Sequence, residues 1–165
     1  MKVILLCGKI CVGKTTYAKS LVNQGNTVYL GTDELMLKLF PRFYENYDEA
    51  VGKVIEYLKE KAVEICKAGA NVVFDGAGWQ CSDRQAMKNF FKGFGIPCEL
   101  HYIDISNNKW QKFIANRNRE VENEKCSAYY IDDGLLQKCL KLFEPPNPAE
   151  VDVYVLDGIV KENKL

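Results

Sequence analysis

The sequence predicts an α/β fold, a three-layer α/β/α sandwich around a five-stranded parallel sheet. Short apolar runs alternate along the chain with segments of helical periodicity. The runs are mostly continuous in apolar residues, as expected for parallel strands buried on both faces. The alternating order of strands and helices implies right-handed crossovers, which place helices on both sides of the sheet.

The predicted strands are short segments rich in Val, Ile, Leu and Phe. Their lengths are typical of strands, and most lack the regular alternation expected when one face meets solvent. They comprise residues 2–7, 27–30, 71–75, 97–104 and 152–155.

The segments between these strands carry helical patterns. In the longest, Val51, Val54, Ile55 and Leu58 recur at helical spacing, and Gly69 follows the end of the pattern. Ser82 is the predicted N-cap of another helix, and a proline cluster ends the last one. The predicted helices comprise residues 14–23, 47–67, 83–92, 107–122 and 132–143.

Length and composition favour a single domain over residues 1–165. A chain of 165 residues with 47% hydrophobic and 27% charged residues can bury a substantial core. Lys+Arg and Asp+Glu both number 22, so the net charge does not favour general nucleic-acid or membrane-surface binding. No apolar run approaches the roughly 18 residues of a membrane helix. We therefore expect a cytoplasmic protein without a membrane partner.

Residues 8–15 read GKICVGKT and match the pattern G-x-x-x-x-G-K-[ST] between a predicted strand and a predicted helix. Glycines allow several backbone N–H groups to converge on an anion, and the helix adds its positive N-terminal end. We expect Lys14 to reach the β- and γ-phosphates and Thr15 to bind Mg²⁺. The predicted nucleotide-binding residues are Gly8, Lys9, Ile10, Cys11, Val12, Gly13, Lys14, Thr15 and Thr16.

Cys11 lies inside this loop, just before a predicted helix. Helix N-termini lower the pKa of a thiol, so we expect Cys11 to be sensitive to oxidation. The sequence contains no CxxC pair of the kind that binds zinc. Several of the seven cysteines lie in apolar segments, which is typical of reduced, buried thiols in a cytosolic protein.

Two acidic residues follow predicted strands, at the sheet edge where open α/β folds bind ligands. Asp33 could accept a proton from an acceptor hydroxyl, or it could cap the helix that follows. Asp75 ends the apolar run VVFD, as a Walker B acid does, and could hold Mg²⁺ or the acceptor. A simple turn-capping role for Asp75 remains the alternative.

The predicted helix 107–122 contains Arg117 and Arg119. An arginine on a mobile lid can stabilise the charge that develops during phosphoryl transfer. Residues two apart point to different sides of a helix, so one arginine reaches the γ-phosphate. We assign Arg117 to this role and Arg119 to the nucleotide base or the lid edge, with a lid at about residues 115–130. The alternative is a solvated charged helix face.

Other side chains are candidates for the acceptor pocket. Tyr44, Tyr47 and Trp79 could line it, although aromatic residues in such positions often fill the core. Arg84 could bind an anionic acceptor, although we favour a surface position. His101 lies in a predicted buried strand, where we expect a structural role.

Two observations disfavour other classes of P-loop protein, the GTPases and the mechanical ATPases. A GTPase would show an NKxD-like segment, but Asn108-Lys109 is followed by Trp110-Gln111. The chain is also short for a mechanical ATPase.

The sequence resembles the small P-loop kinases related to polynucleotide kinase 5′-phosphotransferase domains, zeta-toxin-like kinases and chloramphenicol phosphotransferase. The resemblance covers nearly the whole chain and rests on GKICVGKT, GTDEL, VVFDG, NRNRE and the tail from Phe143 to Asp152. It implies a P-loop NTPase fold of the nucleoside and nucleotide kinase type with a small helical lid.

The same resemblance implies ATP as donor, Mg²⁺, Asp33 as general base and a lid arginine. It also implies Arg42 as an acceptor-side contact. One position departs from the pattern: relatives often carry Thr or Asn two residues after the third-strand Asp, where this chain has Ala77.

These observations predict a kinase that transfers the γ-phosphoryl group of ATP to a hydroxyl of a small-molecule, nucleoside or nucleotide acceptor. An ATP-binding regulatory protein and a polynucleotide 5′-hydroxyl kinase remain alternatives. The second would need a basic channel, which the neutral net charge disfavours. The predicted catalytic residues are Lys14, Asp33 and Arg117, the metal ligands Thr15 and Asp75, and the acceptor-binding residues Asp33, Arg42, Asp75 and Trp79.

Overall fold

The computed structural model describes residues 1–40 and 45–162. Within this part of the chain it contains six strands, six α-helices and one short 3₁₀ helix. The elements run in the order β1 (Val3–Cys7), α1 (Lys14–Asn23), β2 (Thr27–Gly31), α2 (Thr32–Leu39), α3 (Tyr47–Lys67), β3 (Asn71–Asp75), α4 (Cys81–Gly93), β4 (Cys98–Asp104), α5 (Asn107–Glu122), α6 (Asp133–Leu142), the 3₁₀ helix (Pro148–Glu150), β5 (Val153–Leu156) and β6 (Ile159–Glu162).

The strands form one sheet in the order β2-β3-β1-β4-β5-β6. The first five are parallel, and β6 is antiparallel to β5. The predicted count of five strands was therefore wrong, because the sheet has six within the described residues. The sequence did carry a signal for β6, since Asp157-Gly158 lies between two apolar runs and such pairs favour two-residue hairpins.

Five of the six α-helices in the described residues were predicted to within two residues of their bounds, whereas no bounds were predicted for α2. Helix α4 begins one residue before Ser82, and the carboxylate of Asp83 accepts the backbone N–H of Gln80 at 3.3 Å. Ser82 therefore lies inside the helix, and its prediction as the N-cap was wrong. Asp132 caps α6 by accepting the N–H of Leu135 at 2.7 Å. No helix within residues 1–40 and 45–162 is long and apolar enough to cross a membrane.

The continuous apolar character of β1 follows from two separate cores. Val3 and Leu5 pack into the core formed with α3 and α4. Ile4 and Leu6 point to the opposite face, where they pack with Ala18 of α1. Successive strand residues face opposite sides of a sheet, so both sets must be apolar. This arrangement confirms the predicted α/β/α sandwich.

The register of the parallel strands aligns three carboxyl ends. Asp75, the last residue of β3, lies opposite Leu6 of β1 and opposite Gly31 of β2. The loop after β1, the start of α2 and the end of β3 are therefore neighbours at one edge of the sheet.

Arg84 on α4 is buried, with 1% of its surface exposed, so the surface position favoured from sequence was wrong. Its Nε donates to the carboxylate of Glu150 at 3.0 Å, and Nη1 donates to the carbonyl of Glu144 at 2.9 Å. Burial of a guanidinium requires such acceptors. Arg84 thus ties the C-terminal segment to α4.

Replacement of Arg84 by Met should destabilise the fold by about 3 kcal/mol, because the Glu150 carboxylate and a buried carbonyl lose their donor. Urea unfolding monitored by circular dichroism measures this free energy. The control is Lys38→Met, which removes an exposed ion pair with Glu34 and should cost less than about 1 kcal/mol. Equal effects of both substitutions would contradict the assigned role of Arg84.

Candidate active site

Residues 8–13 connect β1 to α1 in a tight loop. A Cβ on residue 8 would lie 2.4 Å from the carbonyl oxygen of Ile103, so only glycine lets the chain leave the sheet beside β4. Gly13 is the N-cap of α1; no side chain caps this helix, and its first turn holds no acidic residue. The amides of the first turn are thus open to an anion at the positive end of the helix.

Lys14 lies over this loop. Its Nζ donates to the carbonyl oxygens of Gly8 at 3.0 Å and Lys9 at 2.8 Å, and it lies 5.6 Å from the ring centroid of Trp79. Thr15 and Thr16 are exposed in the first turn of α1, whereas the side chain of Val12 is buried in the core. The loop therefore presents one ammonium, two hydroxyls and backbone groups to the cleft.

Cys11 adopts a left-handed backbone conformation with φ of 60°. Burial raises the pKa of its thiol, although the neighbouring Arg117 and Lys14 lower it. The expected lowered pKa was wrong, because loss of hydration outweighs the nearby positive charges.

Thr15, Asp75 and Tyr29 form an oxygen cluster beside the loop. The hydroxyls of Thr15 and Tyr29 each donate to Oδ2 of Asp75 at 3.3 Å. Asp75 thus directs its carboxylate to these hydroxyls. Mg²⁺ prefers oxygen ligands and is commonly held by one or two protein groups together with substrate phosphates. Thr15 and Asp75 fit that kind of site, and the described residues contain no cluster of three or more His, Cys, Asp or Glu side chains suited to a metal.

Asp33 lies in the first turn of α2, directly after β2. The N-cap is Gly31, and no side chain caps the helix, so the capping alternative for Asp33 does not hold. The carboxylate is open to solvent, yet the surrounding cleft walls remove enough water to raise its pKa. Repulsion from Asp75 raises this pKa further, while Lys14 and Arg117 lower it. Asp33 therefore shares one electrostatic environment with the loop and with α5.

Helix α5 turns one face toward the loop. Trp110 donates from Nε1 to the carbonyl of Ile10 at 2.7 Å, and Cε2 of Phe113 lies 3.6 Å from the position of a Cβ on residue 13. Arg117 is on the same face by its spacing, and its positive charge lowers the pKa of the Cys11 thiol against the larger effect of burial. Arg119 is exposed on another side of the helix. Of the two arginines, Arg117 is the one that lies in the cleft.

Aromatic residues line the other side of Asp33. Tyr47 at the start of α3 packs against Tyr129 in an edge-to-face arrangement, with ring centroids 5.9 Å apart. Burial and the charge of Asp33 raise the pKa of both tyrosines. Trp79 packs edge-on against Phe143 at 6.1 Å. Arg42 and Tyr44 lie outside the described residues.

His101 is buried, and its contacts are with Tyr17 and Glu99. Its Nδ1 is 2.8 Å from the hydroxyl of Tyr17, and its Nε2 is 3.3 Å from Oε2 of Glu99. Burial lowers the pKa of the imidazole. These contacts agree with the structural role expected for His101.

A family model described as an AAA domain, AAA_33, matches residues 3–146. The chain belongs to this AAA domain family. No curated protein matches the sequence.

Solved structures with related folds include several kinases. A sugar kinase from Janibacter sp. HTCC2649 is 15% identical with a TM-score of 0.62, and the match covers 94% of this chain and 85% of that chain. A gluconokinase from Sinorhizobium meliloti 1021 is 14% identical with a TM-score of 0.61, covering 94% and 81%. A chain of the Pnkp1/Rnl/Hen1 RNA repair complex is 19% identical with a TM-score of 0.66, covering 86% and 43%. Such low identities establish the fold alone. This AAA domain therefore has a kinase-like P-loop fold, which confirms the predicted resemblance.

Four residues in the cleft of this AAA domain were missed from sequence: Tyr29, Trp110, Phe113 and Tyr129. The spacing of Trp110, Phe113 and Arg117 along α5 was a usable signal, since residues at i, i+3 and i+7 share a helix face. Tyr29 and Tyr129 carried no comparable signal. Their places depend on contacts between elements that are distant in sequence.

The position of Arg117 predicts its effect on Asp33. Replacement of Arg117 by Met should raise the pKa of the Asp33 carboxyl, because a nearby positive charge that favours the ionised form is lost. The matched control is Arg119→Met, which should leave that pKa unchanged. Carboxyl ¹³C NMR of the ligand-free protein across pH measures both. An unchanged Asp33 in Arg117→Met, or an equal rise in both variants, would contradict the placement.

Proposed function

We propose that this AAA domain is an ATP- and Mg²⁺-dependent kinase that transfers the γ-phosphoryl group to a hydroxyl of a small molecule. The observation that supports this most strongly is the convergence of Lys14, Asp33, Asp75 and Arg117 in one cleft. Phosphoryl transfer depends on positioning and on charge stabilisation, and these residue types supply both.

The loop and α1 hold the polyphosphate. The open amides of residues 13–16 bind phosphate oxygens, and Lys14 exchanges its carbonyl partners for the β- and γ-phosphates. Mg²⁺, held by Thr15 and Asp75, neutralises phosphate charge when it is bound. Lys9, Ile10, Cys11 and Val12 contribute backbone groups to the same cradle.

Asp33 is the general base. A carboxylate with a raised pKa is a stronger proton acceptor than an ordinary aspartate. It takes the proton of the acceptor hydroxyl while the hydroxyl oxygen bonds to the γ-phosphorus. The bond from that phosphorus to the β–γ bridging oxygen breaks, and ADP leaves.

Arg117 stabilises the negative charge on the transferred group, and residues 115–130 act as the lid that carries it. This segment comprises the C-terminal half of α5 and part of the connection to α6. Arg119, which is exposed, lies at the lid edge.

The acceptor binds between Asp33 and the aromatic residues Tyr47, Tyr129 and Trp79. Aromatic rings pack against the C–H faces of sugars and against nucleobases, and tyrosine hydroxyls bond to polar substituents. The carboxylates of Asp33 and Asp75 repel an anionic acceptor group at the transfer point. A neutral polyhydroxyl compound fits this environment, and one of the similar folds belongs to a sugar kinase.

Replacement of Asp33 by Asn should lower kcat by about 10²- to 10⁴-fold and leave ATP affinity unchanged, because only the proton acceptor is lost. Loss of hydration disfavours the ionised carboxylate, so the stability of the folded protein decreases as the pH rises through the raised pKa of Asp33 in the folded state. A neutral Asn removes this cost, and the variant should be at least as thermally stable at pH 7 as the parent. Acceptor-dependent ADP release, calorimetry and thermal unfolding measure the three quantities.

The same assay separates the proposed kinase from its alternatives. A regulatory protein would bind ATP without ADP release that depends on any hydroxyl acceptor. A polynucleotide kinase would require an oligonucleotide with a free 5′-hydroxyl. Unchanged turnover in Asp33→Asn would refute the assignment of the base.

Replacement of Tyr129 by Phe tests the acceptor side. Loss of its hydroxyl should raise the KM for the acceptor about 5- to 10-fold, the equivalent of one hydrogen bond, without changing the KM for ATP. The adjacent Tyr130 is 45% exposed, so Tyr130→Phe is the matched control and should behave as the parent. A rise in the KM for both the acceptor and ATP would indicate that Tyr129 supports the fold and does not contact the acceptor specifically.

A further inference from the structure

Tyr29 reaches the candidate metal site from β2, an element that carries none of the predicted metal ligands. Its hydroxyl donates to Oδ2 of Asp75 at 3.3 Å. The hydroxyl of Thr15 donates to the same oxygen at 3.3 Å. Tyr29 therefore completes a three-membered cluster with both predicted metal ligands.

Gly31 creates the room for this contact. Residues 29 and 31 lie on the same face of β2. A Cβ on residue 31 would lie 2.4 Å from the hydroxyl oxygen of Tyr29 and 2.6 Å from Cζ. Real Cβ atoms do not approach so closely, so a side chain at position 31 would displace the Tyr29 ring from Asp75. The glycine at the strand end and the tyrosine before it thus act together.

The remaining oxygen of Asp75 is available for a ligand. Both hydroxyls bond to Oδ2, and Oδ1 has no hydrogen-bond partner within residues 1–40 and 45–162. Two donors on one oxygen fix the rotation of a carboxylate about its χ2 axis. Because Gly31 and Asp75 lie opposite each other in the parallel register, the contact joins two strands of the sheet. Strands hold a site more accurately than loops do.

We propose that Tyr29 is a positioning residue for the magnesium site, holding Asp75 with Oδ1 directed to the metal or its bound water. This inference rests on the proposed function. Hydrogen bonds to metal-ligating carboxylates commonly contribute 10- to 100-fold to metal affinity. Tyr29 itself supplies neither a loop amide nor the ammonium group proposed to bind phosphate, so we expect its contribution to be specific to the metal.

Calorimetry of ATP binding with Mg²⁺ and with EDTA tests this separation. In Tyr29→Phe, ATP affinity should fall about 10-fold with Mg²⁺ and remain unchanged with EDTA. Gly31→Ala should reproduce the pattern by displacing the ring while keeping the hydroxyl. The matched control is Tyr17→Phe, which removes a hydroxyl bonded to Nδ1 of His101 at 2.8 Å and should affect neither condition.

Two results would overturn the proposal: equal loss of affinity with Mg²⁺ and EDTA, which indicates a purely structural role, or no loss in either. Mn²⁺ titration without nucleotide, followed by electron paramagnetic resonance, provides a second readout. Tyr29→Phe should weaken Mn²⁺ binding about 10-fold, and an unchanged affinity would again contradict the proposal. A parent protein that binds Mn²⁺ but no ATP would refute the proposed kinase without refuting the role of Tyr29.

Discussion

The parallel pairing of β3 with both β1 and β2 determines the geometry of the cleft. It sets Asp75 level with Leu6 and with Gly31, so the loop after β1 and the start of α2 meet at the same edge. Each strand is followed by a different functional group: the phosphate-binding loop, Asp33 or Asp75. A register shift of one residue would turn every side chain of a strand to the opposite face and remove this convergence.

The cleft holds opposing charges that only partly cancel. Asp33 and Asp75 repel each other, while Lys14 and Arg117 favour the ionised form of Asp33. Burial and this repulsion keep the pKa of Asp33 raised, which suits a proton acceptor but disfavours its charged form in the folded protein. Functional sites commonly carry such a cost in stability, and the two apolar cores of the sandwich offset it.

Helix α5 connects the loop after β1 to the aromatic side of the cleft. Trp110 joins the first turn of the helix to Ile10 through its hydrogen bond. Arg117 follows seven residues later on the same face of the helix, close to Cys11. The side-chain amide of Asn118 then bonds to both the N–H and the carbonyl of Ile131 at 2.8 Å. These contacts make the loop, the arginine and the segment that contains Tyr129 a connected unit. The groups that we propose to act on the donor and on the acceptor are thereby held by the same helix.

The sequence by itself determined the sandwich, most helix and strand bounds, and the phosphate-binding loop, because these depend on local periodicity and on a contiguous motif. It also identified Asp33 and Asp75, since carboxyl ends of parallel strands are recognisable in a sequence. The tertiary structure decided which arginine enters the cleft, that Arg84 is buried, and that Tyr29 and Tyr129 reach the site. These facts depend on register and packing between distant segments, whose geometry no local pattern encodes. Strand β6 is an intermediate case. The sequence carried the signal for a hairpin at Asp157-Gly158, but the antiparallel pairing of β6 with β5 at the edge of the sheet was established only by the structure.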